Sequence, residues 1–397
     1  MELTEPVRPF AVRGRLAVDG RLTPGAVVVE GTEVKAVLGG EVRDGDLPPE
    51  IHEAAIVAPG LIDLQVNGAF GVEVGTSAEA LRHLATQLPS TGVTGFLPTL
   101  VSSPAELYPR AFQAFEDARD AQGAVALGLH IEGPFLSRLR PGVHRLNAID
   151  GASADTFEGW LEAEAVRLVT LAPERDGAKE RIRRLRERGI VVSLGHTNAT
   201  YEEFVLGIDQ GATMVTHLYS AMSGFLHRAP GAVGAALLDD RVTAGLIVDG
   251  VHSHPASVGL AIKAKGAERI ALVTDSIAGA GQSPGVYQID GQDILVEATF
   301  ARLPDGTLAG SVLTLDQAVR FAVTFGASIA DALRMASEVP ARVLGLSRKG
   351  RLAVGADADL VLLDAGLAVL ATYGRGRSLY RRDAAAPATV NLHSSRV

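Results

Sequence analysis

The 397-residue chain has no cysteine. That excludes disulfides, thiol nucleophiles and cysteine-ligated zinc, so any metal must be held by imidazoles and carboxylates. The absence fits a reducing compartment. Positive charge is in deficit, 37 Lys and Arg against 46 Asp and Glu, for a formal net charge of −9. This argues against nucleic acid or an anionic membrane as the main partner. It still allows a small anionic substrate, which needs only a local Arg and some aimed backbone N–H groups. No uncharged apolar run reaches the roughly 18 residues of a membrane-spanning helix. The opening MELTEPVRPF lacks the basic and apolar regions of a signal peptide. These absences predict a soluble, cytoplasmic protein. No internal repeat is visible, and no Gly-rich dinucleotide loop follows any strand-like run, which counts against a doubly wound open sheet. Aromatics are scarce, and the single Trp160, in FEGWLEAEA, reads as packing rather than a sugar platform.

What is present is a set of polar residues in unexpected places. AVALGLHIE ends at Glu132, IVVSLGH at His196, ATMVTH at His217 and IALVTD at Asp275. A buried strand has no structural use for a carboxylate or imidazole at its last position. Parallel strands closed into a barrel do, because active sites of that fold gather at the C-terminal strand ends. Two His and a Glu with open positions for water form a catalytic metal set, whereas a structural zinc is closed by four ligands. Asp275 beside such a metal can take a proton from water and return it to a leaving nitrogen. Taken singly, each has a plainer reading: a hydrogen-bonded His at a strand end, or an Asp capping a short helix. The four together outweigh it.

Eight strand-like runs alternate with helical patterns: IVAPGLIDLQV, VTGFLPTL, AVALGLHIE, VRLVTLAPE, IVVSLGHT, ATMVTHLY, AGLIVDGVH and IALVTDSI. Eight is the number a (β/α)8 barrel requires, in about 250 residues. The excess length lies at the two ends, where short β-type runs are broken by Gly, Asp and Pro. The fold class predicted is therefore α/β, a (β/α)8 TIM-like barrel with a small β-sandwich domain built from both chain termini. Residues 1–55 and 353–397 are assigned to the small domain and 56–352 to the barrel, with a β-rich insertion near 280–308. The tail RRDAAAPATVNLHSSRV reads as disordered.

IVAPGLIDLQVNG, LGLHIEGPFLS, SLGHTNAT, VTHLYSAM, DGVH, VTDSIAG and LAGSVLTL, in this order, together resemble the N-acetylglucosamine-6-phosphate deacetylases of the amidohydrolase superfamily. The resemblance implies Glu132, His196 and His217 as metal ligands and Asp275 as the proton-transfer residue. It also implies substrate contacts at Val143 and His144, at Ser220 and Ala221, at Arg228, at Asp249, Gly250, Val251 and His252, and at Leu308, Ala309 and Gly310. In chemical terms Arg228 can clamp a phosphate beside backbone N–H groups near Ser220 and Ala221. His144 and His252 can hydrogen-bond the sugar or the developing oxyanion, His144 acting as a second catalytic group. The implied reaction is deacetylation of N-acetyl-D-glucosamine 6-phosphate in amino-sugar breakdown and recycling. The implied cofactor is one divalent metal ion per chain, with zinc expected first and iron, manganese or cobalt accommodated. The implied assembly is a homodimer in which the Arg228 segment reaches the neighbour's site.

Two departures stand out. Most superfamily members carry His-x-His at the end of the first strand. Here Gln65-Val66-Asn67 stands there, and neutral amides at these vestigial second-metal positions predict a single-metal site. Ser220 replaces the family's usual Asn, which leaves fine specificity open. N-acetylgalactosamine 6-phosphate is one alternative substrate, another amidohydrolase reaction is a second, and a barrel scaffold without catalysis a third. The retained strand-end residues disfavour the scaffold. Of the remaining histidines, His130 is read as lying behind Glu132, and His227 as a helper of Arg228. His52, His83, His254 and His393 are read as surface or structural residues.

Overall fold

The structure, a computed structural model, describes residues 8–151, 153–289 and 291–383. His393 and residues 384–397 of the tail read as disordered lie outside the described residues. The start of that tail is ordered instead, since Arg381 ends a strand and Arg382 pairs with Asp364 at 3.0 Å.

The eight apolar runs become the strands of a parallel barrel. In chain order they are Leu61–Val66, Val93–Leu100, Leu129–Glu132, Val166–Leu171, Val191–Leu194, Met214–Val215, Thr243–Leu246 and Ile270–Leu272. Each pairs in parallel with the next. The ring closes where Val66 bridges Ser276 and Asp275 N–H donates to Gln65 O at 2.9 Å. Side chains also stitch this seam. The buried Asp63 carboxylate accepts from Thr274 Oγ1 at 2.6 Å and from the N–H groups of Thr274 and Gln65. Burial outweighs these donors and pushes its carboxyl up to about 7. Strand residues such as Val93, Phe96, Leu97 and Leu168 are fully buried, so each side chain contributes roughly 1.5–3 kcal/mol of apolar burial.

The crossovers are helices, several of them started by side-chain caps. Ser77 accepts from Ala80 N–H ahead of Ala78–Gln87, and Thr200 with Glu203 forms a capping box ahead of Tyr201–Asp209. One crossover helix, Gly231–Leu238, was not visible in the sequence. Its GAVGAALL is small and apolar on every side and buried almost throughout, so it has no amphipathic period to read. Trp160 is buried edge-on against Tyr108, Phe135 and Phe157 in the helical layer, the packing role expected of it.

Strands from both chain ends share a seven-stranded sheet. From one edge it runs Arg377–Arg381, Val369–Gly374, Leu360–Leu363, Glu50–Pro59, Phe10–Val18, Arg21–Glu30 and Glu33–Gly39. Its core is separate from that of the barrel and includes Val12, Val27, Val57 and Leu360. Glu50–Pro59 leads directly into the first barrel strand across Gly60, where a Cβ would lie 2.3 Å from Thr94 Oγ1. A three-stranded antiparallel sheet, Gly285–Ile289, Gln292–Val296 and Ala301–Arg302, follows the eighth strand. Its apolar face holds Ile289, Ile294 and Val296, and Val143 packs against it. Among the described residues, no helix is long and apolar enough to cross a membrane.

Candidate active site

Glu132 closes the third strand, whereas His196, His217 and Asp275 stand two or three residues past theirs. Those three have positive φ, 46°, 28° and 50°. Left-handed backbone at a non-glycine residue costs of order 1–3 kcal/mol and gathers at functional sites. The turns aim the side chains inward: Glu132, His196 and His217 are buried, with ligating atoms all within 4.8 Å of one another. His217 Nε2 lies 3.0 Å from Glu132 Oε1 and 3.1 Å from His196 Nε2.

The donor set fits a divalent cation. His196 Nδ1–H donates to the backbone oxygen of Arg140 at 2.9 Å, which leaves the Nε2 lone pair turned to the shared centre. Two imidazole nitrogens and a carboxylate oxygen converging on one centre is the arrangement a metal completes. Burial would raise the Glu132 carboxyl, but the imidazoles of His196 and His217 hold it well below the usual carboxylate range. Burial likewise lowers His217, yet Glu132 outweighs that and lifts it to about 8.

Gln65 and Asn67 serve the carboxylates. Gln65 Nε2 donates to Glu132 Oε1 at 3.0 Å and to Asp275 Oδ1 at 2.9 Å, and Asn67 Nδ2 donates to Asp275 Oδ1 at 2.7 Å. Where the superfamily places a second metal, this chain therefore presents amide N–H donors. Burial and the nearby Glu132 charge raise the Asp275 carboxyl to about 6.

His144 is buried, and its Nδ1 accepts the backbone N–H of Ser102 at 3.1 Å, with Ser102 Oγ at 2.8 Å. An accepting Nδ1 puts the ring proton on Nε2, which lies 3.8 Å from Glu132 Oε2. Burial and the neighbouring His196 push this imidazole down to about 3, so it is a neutral donor. His252 is oriented the opposite way. Its Nδ1–H donates to Asp249 Oδ2 at 2.7 Å, while Asp249 Oδ1 accepts the N–H groups of Val251 and His252. Asp249 thus holds the His252 ring from behind.

These groups surround one cavity of about 550 Å³. Of the expected substrate contacts, Val143, His144, Ser220, Ala221, His252, Leu308 and Gly310 line it. Asp249, Gly250, Val251 and Ala309 do not, and Ala309 is packed inside the small apolar cluster of the insertion. Gly310 has φ 61° and lies where a Cβ would meet Asp275 O at 2.9 Å. Arg228 and His227 are exposed and outside the lining. The Ser220 region has φ of alternating sign, positive at His217, Tyr219 and Ala221 and not at the residues between. Such alternation turns successive N–H groups towards one side, a nest for an anion. The N–H groups of Tyr219 and Ala221 find no acceptor among the described residues.

Sequence reasoning missed Ser102 and Glu174. Glu174 Oε2 accepts from Thr197 Oγ1 at 2.6 Å and its Oε1 from Asn198 N–H at 2.7 Å, which fixes the loop after His196. It ends VRLVTLAPE, so the strand-end argument that found Glu132 would have found it too.

His130 lies buried beneath the site, Nδ1 3.1 Å from Leu64 O and Nε2 2.7 Å from Thr170 Oγ1. Burial lowers it from 6.5 to about 4. The folded state then binds fewer protons than the unfolded chain between these values, so stability present at neutral pH is lost as pH falls below 6.5. The loss from this group amounts to about 2 kcal/mol by pH 5. As pH falls from 7 to 5, the unfolding midpoint of His130→Gln should therefore rise relative to that of the unaltered protein, a comparison that cancels the opposite contributions of Asp63 and Asp275. A constant difference between the two would contradict a neutral His130. A bound cation would push in the same direction.

Known proteins supply the remaining comparison. Residues 56–393 match the model of the amidohydrolase family. The N-acetylglucosamine-6-phosphate deacetylase of Bacillus subtilis (strain 168) is 38% identical over 333 residues, covering 81% of this chain and 84% of that protein. The Homo sapiens protein of the same name is 41% identical over 348 residues, covering 83% and 85%. Among solved structures, a variant of the Mycobacterium smegmatis N-acetyl-D-glucosamine-6-phosphate deacetylase, in complex with N-acetyl-D-glucosamine-6-phosphate, superposes with a TM-score of 0.88. It is 35% identical and covers 94% of this chain and 99% of its own.

Proposed function

This chain belongs to the amidohydrolase family, among its N-acetylglucosamine-6-phosphate deacetylases, and on that premise we propose how its residues carry out the reaction. It hydrolyses N-acetyl-D-glucosamine 6-phosphate to D-glucosamine 6-phosphate and acetate. The observation that carries the assignment is one cavity wall presenting Glu132, His196 and His217 beside an Asp275 held by two amides.

Glu132, His196 and His217 hold one divalent ion, and zinc, iron, manganese and cobalt all suit this donor set. When bound, such an ion supplies a water of lowered pKa and polarises the acetamide carbonyl. Gln65 and Asn67 both donate to Asp275 Oδ1, so Oδ2 is the oxygen that takes the proton of the attacking water. Once protonated, Asp275 returns that proton to the departing amine nitrogen. His144 donates Nε2–H to the carbonyl oxygen as charge builds there, and the proton on that atom is fixed by Ser102. The phosphate lies towards His252 and the free N–H groups around Ala221.

Deacetylation rates on N-acetylglucosamine 6-phosphate, on its galacto epimer and on unphosphorylated N-acetylglucosamine test the assignment. The gluco phosphate should be the best substrate. Absence of hydrolysis of all three by metal-loaded protein would overturn it, and preference for the galacto epimer would shift the substrate alone.

Arg228 completes the phosphate site from a second copy of the chain. Leu226 and Ala229 exchange backbone hydrogen bonds and put Arg228 at the tip of an exposed hairpin, beside Phe225 and Leu226, which are 57% and 66% exposed. Apolar side chains so placed gain by being covered. Arg228→Ala should weaken use of the phosphorylated substrate by about 1.5–3 kcal/mol and hardly alter the unphosphorylated one. Mixing Arg228→Ala chains with Asp275→Asn chains should restore part of the activity, by forming one site with both residues intact. Equal losses on both substrates would make Arg228 structural. No recovery in demonstrated mixed dimers would remove the inter-subunit part.

A further inference from the structure

We propose that Arg140 is a phosphate-recognising residue of this chain's own site and sets its preference for phosphorylated over unphosphorylated amino sugar. The inference rests on the proposed reading that the substrate carries a phosphate. Among the described residues lining the cavity, Arg140 is the one Lys or Arg, set against the carboxylates of Glu132 and Asp275. With a divalent ion offsetting those two carboxylates, Arg140 is the formal positive side-chain charge left in the lining to meet a dianionic substrate.

The position of Arg140 is defined on two sides. Its backbone oxygen accepts His196 Nδ1–H at 2.9 Å, and its Nε–H donates to Asn198 Oδ1 at 3.0 Å. Asn198 belongs to the loop joined to the 221–223 segment, since Thr197 N–H donates to Ala221 O and Ser223 N–H to Thr197 O, each at 3.0 Å. The guanidinium is thereby tethered next to the segment whose Tyr219 and Ala221 N–H groups lack acceptors. Its remaining donors meet no carboxylate among the described residues, although salt bridges engage many other arginines of the chain. A planar fork with unused parallel N–H groups beside a backbone nest is the donor arrangement phosphate oxygens take. Asn198 has a corresponding role as a positioning residue, because its side-chain oxygen is what orients the fork.

The contact to His196 uses the Arg140 backbone, so replacing the side chain leaves the metal ligand supported. The test compares kcat/KM on N-acetylglucosamine 6-phosphate with kcat/KM on N-acetylglucosamine, for the unaltered metal-loaded chain, Arg140→Ala and Arg140→Lys. Inhibition by inorganic phosphate is measured on all three. In Arg140→Ala the ratio of the two kcat/KM values should fall by about ten-fold or more, the effect of losing a hydrogen bond to a charged group. The change should lie mainly in KM, with phosphate inhibition weakened alongside. Arg140→Lys should recover part of both, since it restores the charge without the fork. An unchanged ratio in Arg140→Ala, whether both substrates decline equally or neither does, overturns the inference. If the unaltered chain itself shows no preference for the phosphorylated sugar and no phosphate inhibition, the substrate reading fails, and this inference with it.

Discussion

Asp275→Asn should lower kcat by about 10²–10⁴-fold, the range that positioned general acid–base catalysis contributes. The replacement keeps a side-chain oxygen for the donors of Gln65 and Asn67, so the local hydrogen bonding survives. What disappears is the capacity to take up a proton and return it. Metal content should stay at the level of the unaltered protein, because the candidate ligand cluster of Glu132, His196 and His217 does not include Asp275. Parallel measurement of activity and bound metal decides the matter. Loss of metal together with activity would make Asp275 a ligand rather than a base, and near-normal activity would remove it from the mechanism.

His196→Ala or His217→Ala should abolish both metal binding and deacetylation while leaving the far-ultraviolet circular dichroism unchanged. Each residue stands past the end of its strand, at His196 after Val191–Leu194 and at His217 after Met214–Val215, outside the apolar layers of the barrel. Removing either leaves two donors for an ion that needs at least three from the protein. Elemental analysis of the unaltered protein should find close to one divalent ion per chain. The reason lies in Gln65 and Asn67, whose amide nitrogens face the carboxylates a second ion would share. An N–H donor repels a cation, so a well-occupied two-metal centre would contradict this reading. Retention of metal by both histidine variants would show that the ion sits elsewhere.

The sequence by itself determined the parts of this protein that depend on local order. Short apolar runs alternating with helical periods specify eight strands and most of their crossovers, the small apolar helix Gly231–Leu238 excepted, and a polar residue ending such a run is conspicuous within it. Glu132, His196, His217 and Asp275 could thus be found without coordinates, and the structure brings them to one cavity. Only the tertiary structure decided how they are held. Gln65 reaches Glu132 across 67 residues and Asp275 across 210, contacts that no local pattern encodes. The sequence marked Gln65 and Asn67 by what they are not, namely histidine; the folded chain shows them as donors to two carboxylates. The same separation hid Ser102 behind His144, 42 residues away, and Asn198 behind Arg140, 58 away. Asp249 was expected at the substrate; in the folded chain its carboxylate accepts His252 Nδ1–H, a side-chain direction that residue identity does not carry. The positive φ of His196, His217 and Asp275 is likewise a tertiary outcome. Left-handed backbone is unfavourable for these residue types in isolation, and the contacts of the closed barrel impose it.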